Sequence, residues 1–275
     1  MSIQSKQLVR SALFVPGSRP ERFAKALSSG ADVVIVDFED AVEEDLKALA
    51  REHLAAFLNQ NPEASVVVRV NSADHPMHKD DIAFCAHHSG IAAVILPKAE
   101  TAAQVLKAAD CKKPIWPLIE SAAGVANIKE IASTWAVQRL TFGALDLALD
   151  LGVRASSSAA YRVFDQVRYE LLVNSALHSL EKPLDTVFPN IADTDGLTRF
   201  AQDARDLGFC GMLAIHPSQV DVINSVFTPS QSEIEWAQRI VEAASGAPGA
   251  FRLDGKMIDA PVIAEAKRVV SLFVA

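Results

Sequence analysis

The sequence of 275 residues is poor in cysteine, in positive charge and in long apolar runs. Its three cysteines, Cys85, Cys111 and Cys210, form no C-x-x-C pair, which argues against a disulfide framework or zinc site and fits a reducing cytoplasm. The 26 Lys and Arg residues are outnumbered by 34 Asp and Glu, so the formal charge of −8 is unlike that of a nucleic-acid-binding protein. No apolar run reaches the ~18 residues of a membrane span, and Pro16-Gly17 ends the first run too early for a signal peptide. We therefore expect a soluble, cytoplasmic protein that binds neither nucleic acid nor membrane.

Glycine-rich phosphate-binding motifs are also missing. Neither G-x-G-x-x-G nor G-x-x-x-x-G-K-[ST] occurs, which weakens any interpretation as a dinucleotide-binding or P-loop protein. Hydrophobic residues make up 50% of the chain, enough to fill a large core, so intrinsic disorder is excluded.

Short apolar runs alternate with helix-period segments along the chain. The runs are 11–17, 33–40, 66–71, 92–98, 115–121, 139–146, 186–190 and 212–217, and the helical segments are 20–28, 43–59, 79–88, 101–109, 122–133, 159–179, 194–207 and 218–226. Eight β/α units in this length predict a (β/α)8 TIM barrel over residues 1–228. A doubly wound sheet remains the alternative, because barrel closure leaves no mark in a sequence. Residues 229–275 are expected to form a C-terminal helical extension and lid, with helices over 231–244 and from about Pro261.

Active sites of such barrels lie at the carboxyl ends of the strands, where this chain carries charged residues. Glu120 and Asp146 follow the fifth and sixth predicted strands, so their carboxylates are expected to meet over the barrel mouth. Two oxygen ligands without His or Cys favour a hard cation, and Mg2+ is the natural candidate. The alternative is that both residues cap or stabilise helix N-termini.

A second charged group follows strands two to four. Arg69 ends an apolar strand, and its planar fork suits a substrate carboxylate, although an ion pair with Asp37 is the alternative. Asp37, Glu39 and Asp40 cannot all face inward; one or two of them are expected to bind substrate or metal-bound water, unless they cap the next helix. Lys98 is expected to contact substrate electrostatically rather than as a Schiff base.

At these residues the sequence resembles the citrate lyase β-subunit-like family, within the wider group of aldolases and CoA-ester lyases that includes malyl-CoA lyases. The resemblance extends over most of the chain. It is carried by residues 10–17, 36–42, 69–71, 96–98, 118–124, 142–143, 146–147, 150–152 and 215–220.

The resemblance implies a carbon–carbon lyase. The expected reaction is reversible cleavage of a 3-hydroxyacyl-CoA thioester, such as citryl-CoA or malyl-CoA, into an acetyl-CoA-type thioester and a keto acid. The resemblance also implies Mg2+ on Glu120 and Asp146, substrate orientation by Arg69, and an acid/base role for Asp259 in the lid. Catalytic roles are further expected for Glu39 and Asp40, which follow the second strand. Arg22 and Lys25 are the corresponding candidates for contacts to CoA phosphates. Family members often form trimers or hexamers, which makes a homo-oligomer the expected assembly.

Two further interpretations remain open. The chain could act as a class II aldolase on free 2-keto-3-hydroxy acids, although Asp259 and the pair Arg22 and Lys25 favour thioester chemistry. It could also be a subunit that works on a thioester carried by an acyl-carrier protein. The sequence departs from many relatives at Ala144-Leu145, where they carry an acidic residue.

Overall fold

Eight short parallel strands close into a barrel in the computed structural model, which describes residues 8–246 and 249–273. Each strand pairs with its sequence neighbours, and β1 also pairs with β8. The strands are β1 (Ser11–Pro16), β2 (Val33–Asp37), β3 (Val66–Arg69), β4 (Ile91–Leu96), β5 (Ile115–Ile119), β6 (Thr141–Phe142), β7 (Leu184–Asp185) and β8 (Gly211–Ala214). The predicted (β/α)8 barrel is confirmed, and the open doubly wound sheet is excluded.

Helices follow the strands and continue after the barrel. They are α1 (Phe23–Leu27), α2 (Lys47–Gln60), α3 (His78–His87), α4 (Ala102–Ala108), α5 (Ala122–Ala126), α6 (Ile128–Ala132), α7 (Ala144–Asp150), α8 (Ser158–Leu177), α9 (Thr194–Leu207), α10 (Val220–Phe227), α11 (Gln231–Ala244) and α12 (Ala260–Phe273). Short 3-10 helices cover Pro20–Arg22, Glu44–Leu46, Ala109–Cys111 and Pro217–Gln219. Within the described ranges, no helix combines the length and apolar content needed to cross a bilayer.

The apolar side chains form two layers that follow the alternation of the strands. Ile35 of β2 belongs to the cluster that fills the barrel, whereas its neighbours Val34 and Val36 belong to the cluster between strands and helices. Strands buried on both faces read as continuous apolar runs, which explains why they were visible in the sequence.

Two predicted strands are wrong in extent or place. The seventh was expected at 186–190, but β7 is Leu184–Asp185, and Val187 and Phe188 pack against the core from the following loop. The sixth was expected at 139–146, but β6 ends at Phe142 and α7 follows. Apolar runs reveal burial more reliably than they reveal strand pairing, which is why both errors arose.

The contacts divide the described chain into two compact units. The barrel unit spans Val9–Phe227, and the second unit begins at Thr228. The second unit contains α11, α12 and an antiparallel hairpin of β9 (Phe251–Leu253) and β10 (Lys256–Ile258). Its own small core includes Ala237, Ile240, Ile258 and Ala266.

Candidate active site

The inward-facing side of several barrel strands changes from apolar to charged at the carboxyl end. Ile35, Val67 and Leu118 lie in the cluster that fills the barrel. Because side chains alternate along a strand, residues two positions later face the same side. Those residues are Asp37, Arg69 and Glu120, and the equivalent residue of β1 is Phe14. Strand alternation therefore gathers two carboxylates, one cation and one aromatic ring at the barrel mouth.

Arg69 and Asp37 are register partners on β3 and β2, and they form a bidentate ion pair. Nε and Nη2 of Arg69 lie 2.7 and 2.6 Å from the two carboxylate oxygens of Asp37. Those oxygens also accept hydrogen bonds from the backbone N–H groups of Glu39 and Ala41. Burial alone would raise the pKa of Asp37, but Arg69 and these hydrogen bonds outweigh it and hold the pKa below its ordinary value. Asp37 is fully buried. Direct contact between Asp37 and a substrate, as predicted, does not fit this geometry; Asp37 instead fixes the guanidinium of Arg69.

The remaining edge of Arg69 faces other site residues. Nη1 lies 3.1 Å from Oε2 of Glu39 and 3.9 Å from Oδ2 of Asp40. The guanidinium carbon lies 4.8 Å from the centre of the Phe14 ring, which supports the cation from one side. Glu39 is buried, and Asp40 is exposed. Of the two carboxylates, Glu39 therefore has the fixed position within the site.

Lys98 links the second and fifth strand ends. Its Nζ lies 2.5 Å from Oε1 of Glu39, and its backbone N–H donates to Oε1 of Glu120 at 2.8 Å. The backbone of Lys98 has a φ of 47°, in the left-handed region that costs energy for any residue with a Cβ. Burial would lower the pKa of Lys98, but Glu39 outweighs it and the pKa lies above its ordinary value. A charged, paired ammonium agrees with an electrostatic role and is unsuited to Schiff-base formation.

Glu120 is a buried carboxylate packed tightly against Gly143. Burial raises its pKa to about 8, although Arg69 acts in the opposite direction. A Cβ added at Gly143 would lie 2.5 Å from Oε2 of Glu120, so any side chain there would displace the carboxylate. Glycine at 143 therefore leaves the space that Glu120 occupies.

Asp146 lies in the first turn of α7 rather than at the end of a strand. This corrects the predicted placement, because β6 stops four residues earlier, at Phe142. Ala144, Leu147 and Ala148 are buried at helical spacing, which turns the segment into a helix and leaves Asp146 half-buried. The negative charge of Asp146 is one of the influences that raise the pKa of Glu120, so the two carboxylates interact electrostatically.

Three supporting residues were missed by sequence reasoning. Phe14 could have been found from the alternation that puts Ala12 inside the barrel. The hydroxyl of Thr186 accepts a hydrogen bond from the backbone N–H of Ala144 at 3.0 Å, which anchors the start of α7. The side chain of Asp150 accepts from the backbone N–H of Ala122 at 2.6 Å, which ties α7 to the turn after Glu120. Asp150 lies in a segment that carries the family resemblance, but neither its hydrogen bond nor that of Thr186 is visible in the sequence, because the partners are distant along the chain.

Glu120 and Asp146 have the oxygen donors that Mg2+ prefers. Within residues 8–246 and 249–273, no group of three or more His, Cys, Asp or Glu side chains forms a metal-binding cluster. Mg2+ does not need one, since it commonly takes one or two carboxylates and completes its shell with water and substrate. A buried carboxyl whose pKa is about 8 also gains from a neighbouring dication, which favours its ionised form. Glu120 and Asp146 thus fit Mg2+ and would be its protein ligands.

The other predicted site residues lie outside this cluster or in the second unit. Arg22 and Lys25 are exposed at the first helical turns, and Nε of Arg22 lies 3.9 Å from Oε1 of Glu21. Asp259 is half-buried just before α12, where its carboxylate accepts from the backbone N–H of Val262 at 3.4 Å. Their predicted roles in CoA binding and proton transfer stay predictions.

The barrel and its charged mouth agree with comparison to known proteins. Residues 10–217 match the family model for HpcH/HpaI aldolase/citrate lyase. The chain belongs to this family. Recognition of a citrate lyase β-like enzyme of the carbon–carbon lyase class from the sequence motifs is therefore confirmed.

Individual relatives cover nearly the whole chain. A citrate lyase subunit beta-like protein of Mycobacterium tuberculosis is 39% identical over 261 residues, covering 93% of this chain and 92% of the relative. A (3S)-malyl-CoA thioesterase of Cereibacter sphaeroides is 35% identical over 259 residues, covering 91% and 89%. The crystal structure of protein CitE from M. tuberculosis in complex with magnesium, acetoacetate and coenzyme A has a TM-score of 0.83 at 35% identity, covering 96% of this chain and 98% of CitE. Its ligands agree with the cofactors expected from the sequence.

Proposed function

We propose that this member of the family is a Mg2+-dependent lyase that cleaves a 3-hydroxyacyl-CoA thioester into an acetyl-CoA-type thioester and a keto acid, or catalyses the reverse condensation. The observation that carries the proposal is the juxtaposition of Glu120, which interacts with Asp146, and the rigidly held Arg69 at one barrel mouth. The CitE structure with magnesium, acetoacetate and coenzyme A supports it. So does the similarity to a (3S)-malyl-CoA thioesterase.

Cleavage requires the 3-hydroxyl group of the substrate to lose its proton as the carbon–carbon bond breaks. The bond electrons pass to the thioester carbonyl as an enolate, which is then protonated to the acetyl-CoA-type product. Bound Mg2+ would supply Lewis-acid stabilisation of the oxygen that becomes the keto group. Arg69 would orient the keto-acid carboxylate through Nη1, since Asp37 occupies its other edge. The Glu39 carboxylate, which contacts both Arg69 and the Lys98 ammonium, would hold these two cations in place next to the bound keto acid.

The test of this function is a calorimetric titration of the whole protein with oxaloacetate and, separately, with acetyl-CoA, each with and without Mg2+. We expect oxaloacetate to bind only with Mg2+ and acetyl-CoA to bind as well. Binding of oxaloacetate without binding of acetyl-CoA would support the free-acid aldolase or the carrier-protein subunit instead. If neither oxaloacetate nor acetyl-CoA bound, the proposed function would be contradicted.

Asp259 is proposed as the proton-transfer residue, supplied by a neighbouring protomer of a homo-oligomer. Asp259→Asn should lower turnover by roughly a hundredfold, the usual contribution of a general acid or base. Asparagine can accept the same hydrogen bond from the N–H of Val262, so α12 should still form. Steady-state kinetics and Mg2+ titration of the variant check this. A collapse of Mg2+ affinity with no separate defect in turnover would contradict the role.

A further inference from the structure

Lys47 is a buried lysine that touches the backbone of the loop after β2. Its Nζ lies 2.9 Å from the carbonyl oxygen of Glu39, 3.1 Å from that of Phe38 and 2.7 Å from Oδ1 of Asn71. The side chain is 7% exposed. Three acceptors therefore match the three N–H bonds of one ammonium group. Because burying a charge without such partners is costly, this arrangement strongly favours one position of the loop.

The acceptor on Asn71 is itself held in place. Its amide nitrogen and its backbone N–H both donate to Oδ2 of Asp81, at 2.7 and 2.9 Å. The other oxygen of Asp81 lies 2.6 Å from Nη1 of Arg51. Asp81 is fully buried, so the network provides a fixed negative charge behind the amide that Lys47 contacts. The loop is thus anchored to β3 and α3 through side chains that lie outside the proposed ligand and substrate contacts.

The opposite side of the same loop enters the site. The carboxylate of Glu39 lies against Nη1 of Arg69 and Nζ of Lys98. Lys47 donates a hydrogen bond to the backbone carbonyl of Glu39 itself. A displacement of the Glu39 backbone would therefore alter the charge next to the one edge of Arg69 that Asp37 does not occupy.

We propose that Lys47 is a positioning residue of the active site, which fixes the backbone of Phe38 and Glu39 and thereby the Glu39 carboxylate beside Arg69. Lys47 does not exchange protons with the substrate and is not a catalytic residue. Its effect on ligand binding rests on the proposed function, whereas its effect on the loop does not. Loss of the ammonium should therefore be visible in the loop even without any ligand.

The test compares Lys47→Met with Arg139→Met in the full-length protein. Arg139 is also a buried cation, with Glu181 and Sγ of Cys210 as partners, but it lies before β6 at the opposite end of the barrel. Changes at that end affect stability rather than chemistry in this fold. Both variants should lower the melting temperature, so Arg139→Met controls for destabilisation alone.

Two measurements separate the variants. Hydrogen exchange of the metal-free protein should become faster over residues 38–42 in Lys47→Met, relative to the rest of the barrel, but not in Arg139→Met. Oxaloacetate affinity in the presence of Mg2+ should fall by roughly tenfold or more in Lys47→Met only, the size of loss known for metal sites when a residue that orients a ligand is removed. If Lys47→Met does not fold, Lys47→Gln, which keeps two donors on a shorter neutral side chain, takes its place in both comparisons.

Unchanged loop exchange together with unchanged oxaloacetate affinity in the folded variant would overturn the role of Lys47. Equal changes in both variants would overturn it as well, because they would reflect general destabilisation. Failure of the wild-type protein to bind oxaloacetate would count against the proposed function instead. Loop exchange would still decide whether Lys47 positions Glu39.

Discussion

Replacing Glu120 by glutamine is expected to lower Mg2+-dependent turnover by about a thousandfold, which corresponds to the several kcal/mol that a catalytic cation supplies. The amide keeps the volume of the side chain and can still accept from the backbone N–H of Lys98. What it loses is the negative charge that a dication needs. Mg2+ titration and steady-state kinetics of the folded variant measure both effects.

Glu100→Gln is the matched control for this substitution. Glu100 is half-buried in the loop between β4 and α4, and it accepts a hydrogen bond from the hydroxyl of Ser121, the residue after Glu120. The same chemical change at that position should leave Mg2+ affinity within about twofold of wild type, because a partly exposed polar contact such as that between Glu100 and Ser121 contributes little free energy. If Glu120→Gln retained Mg2+-dependent turnover at the level of this control, the metal site would have to be placed elsewhere.

The folding stability of the metal-free protein provides a readout that does not involve activity. The pKa of Glu120 is raised from 4.5 to about 8 in the folded state, so the folded state holds this proton more tightly than the unfolded state. The resulting stabilisation is present below pH 4.5 and is lost as the pH rises to about 8. The Glu120→Gln variant has no titratable carboxyl at this position. Its stability, followed by denaturant unfolding, should therefore decrease less than that of wild type between about pH 5 and pH 8.

The sequence predicted the architecture because buried parallel strands read as apolar runs. The same runs marked where each strand ends, and Asp37, Arg69 and Glu120 follow directly from that position. The family resemblance then suggested chemistry for residues whose spacing alone left capping or ion-pair roles open. The fold and the candidate site residues could therefore be predicted from the sequence.

The pairing of residues on neighbouring strands could not be predicted from the sequence in the same way. The register that sets Asp37 opposite Arg69 depends on the relative shift of β2 and β3, which no local pattern records. An ion pair between them was an alternative in the sequence, and the structure shows that Asp37 uses both oxygens for it. The helix that carries Asp146 was not predicted, because its apolar residues follow directly after those of the preceding strand and look like a continuation of that strand. Contacts between residues far apart in sequence thus decide which charged groups at the barrel mouth remain available to a ligand.

Arg69→Lys is expected to lower kcat/KM by about 10²- to 10³-fold, the usual effect of removing a preorganised electrostatic contact. Lysine keeps the positive charge, but its single nitrogen cannot hold both oxygens of Asp37 and also present a second edge to a carboxylate. We expect the loss mainly in keto-acid affinity, with Mg2+ affinity nearly unchanged. Titrations with oxaloacetate and with Mg2+ distinguish the two.

A double variant separates binding from folding at Arg69. Arg69→Met alone leaves the buried Asp37 carboxylate without its cation, which typically costs about 3–5 kcal/mol. Combining it with Asp37→Asn removes that charge and keeps an acceptor for one of the two backbone N–H groups, those of Glu39 and Ala41, that donate to different oxygens of Asp37, so part of the stability should return. Activity should not return, because the edge facing the substrate side is still missing. Recovery of both stability and turnover in the double variant would show that Arg69 serves only to neutralise Asp37.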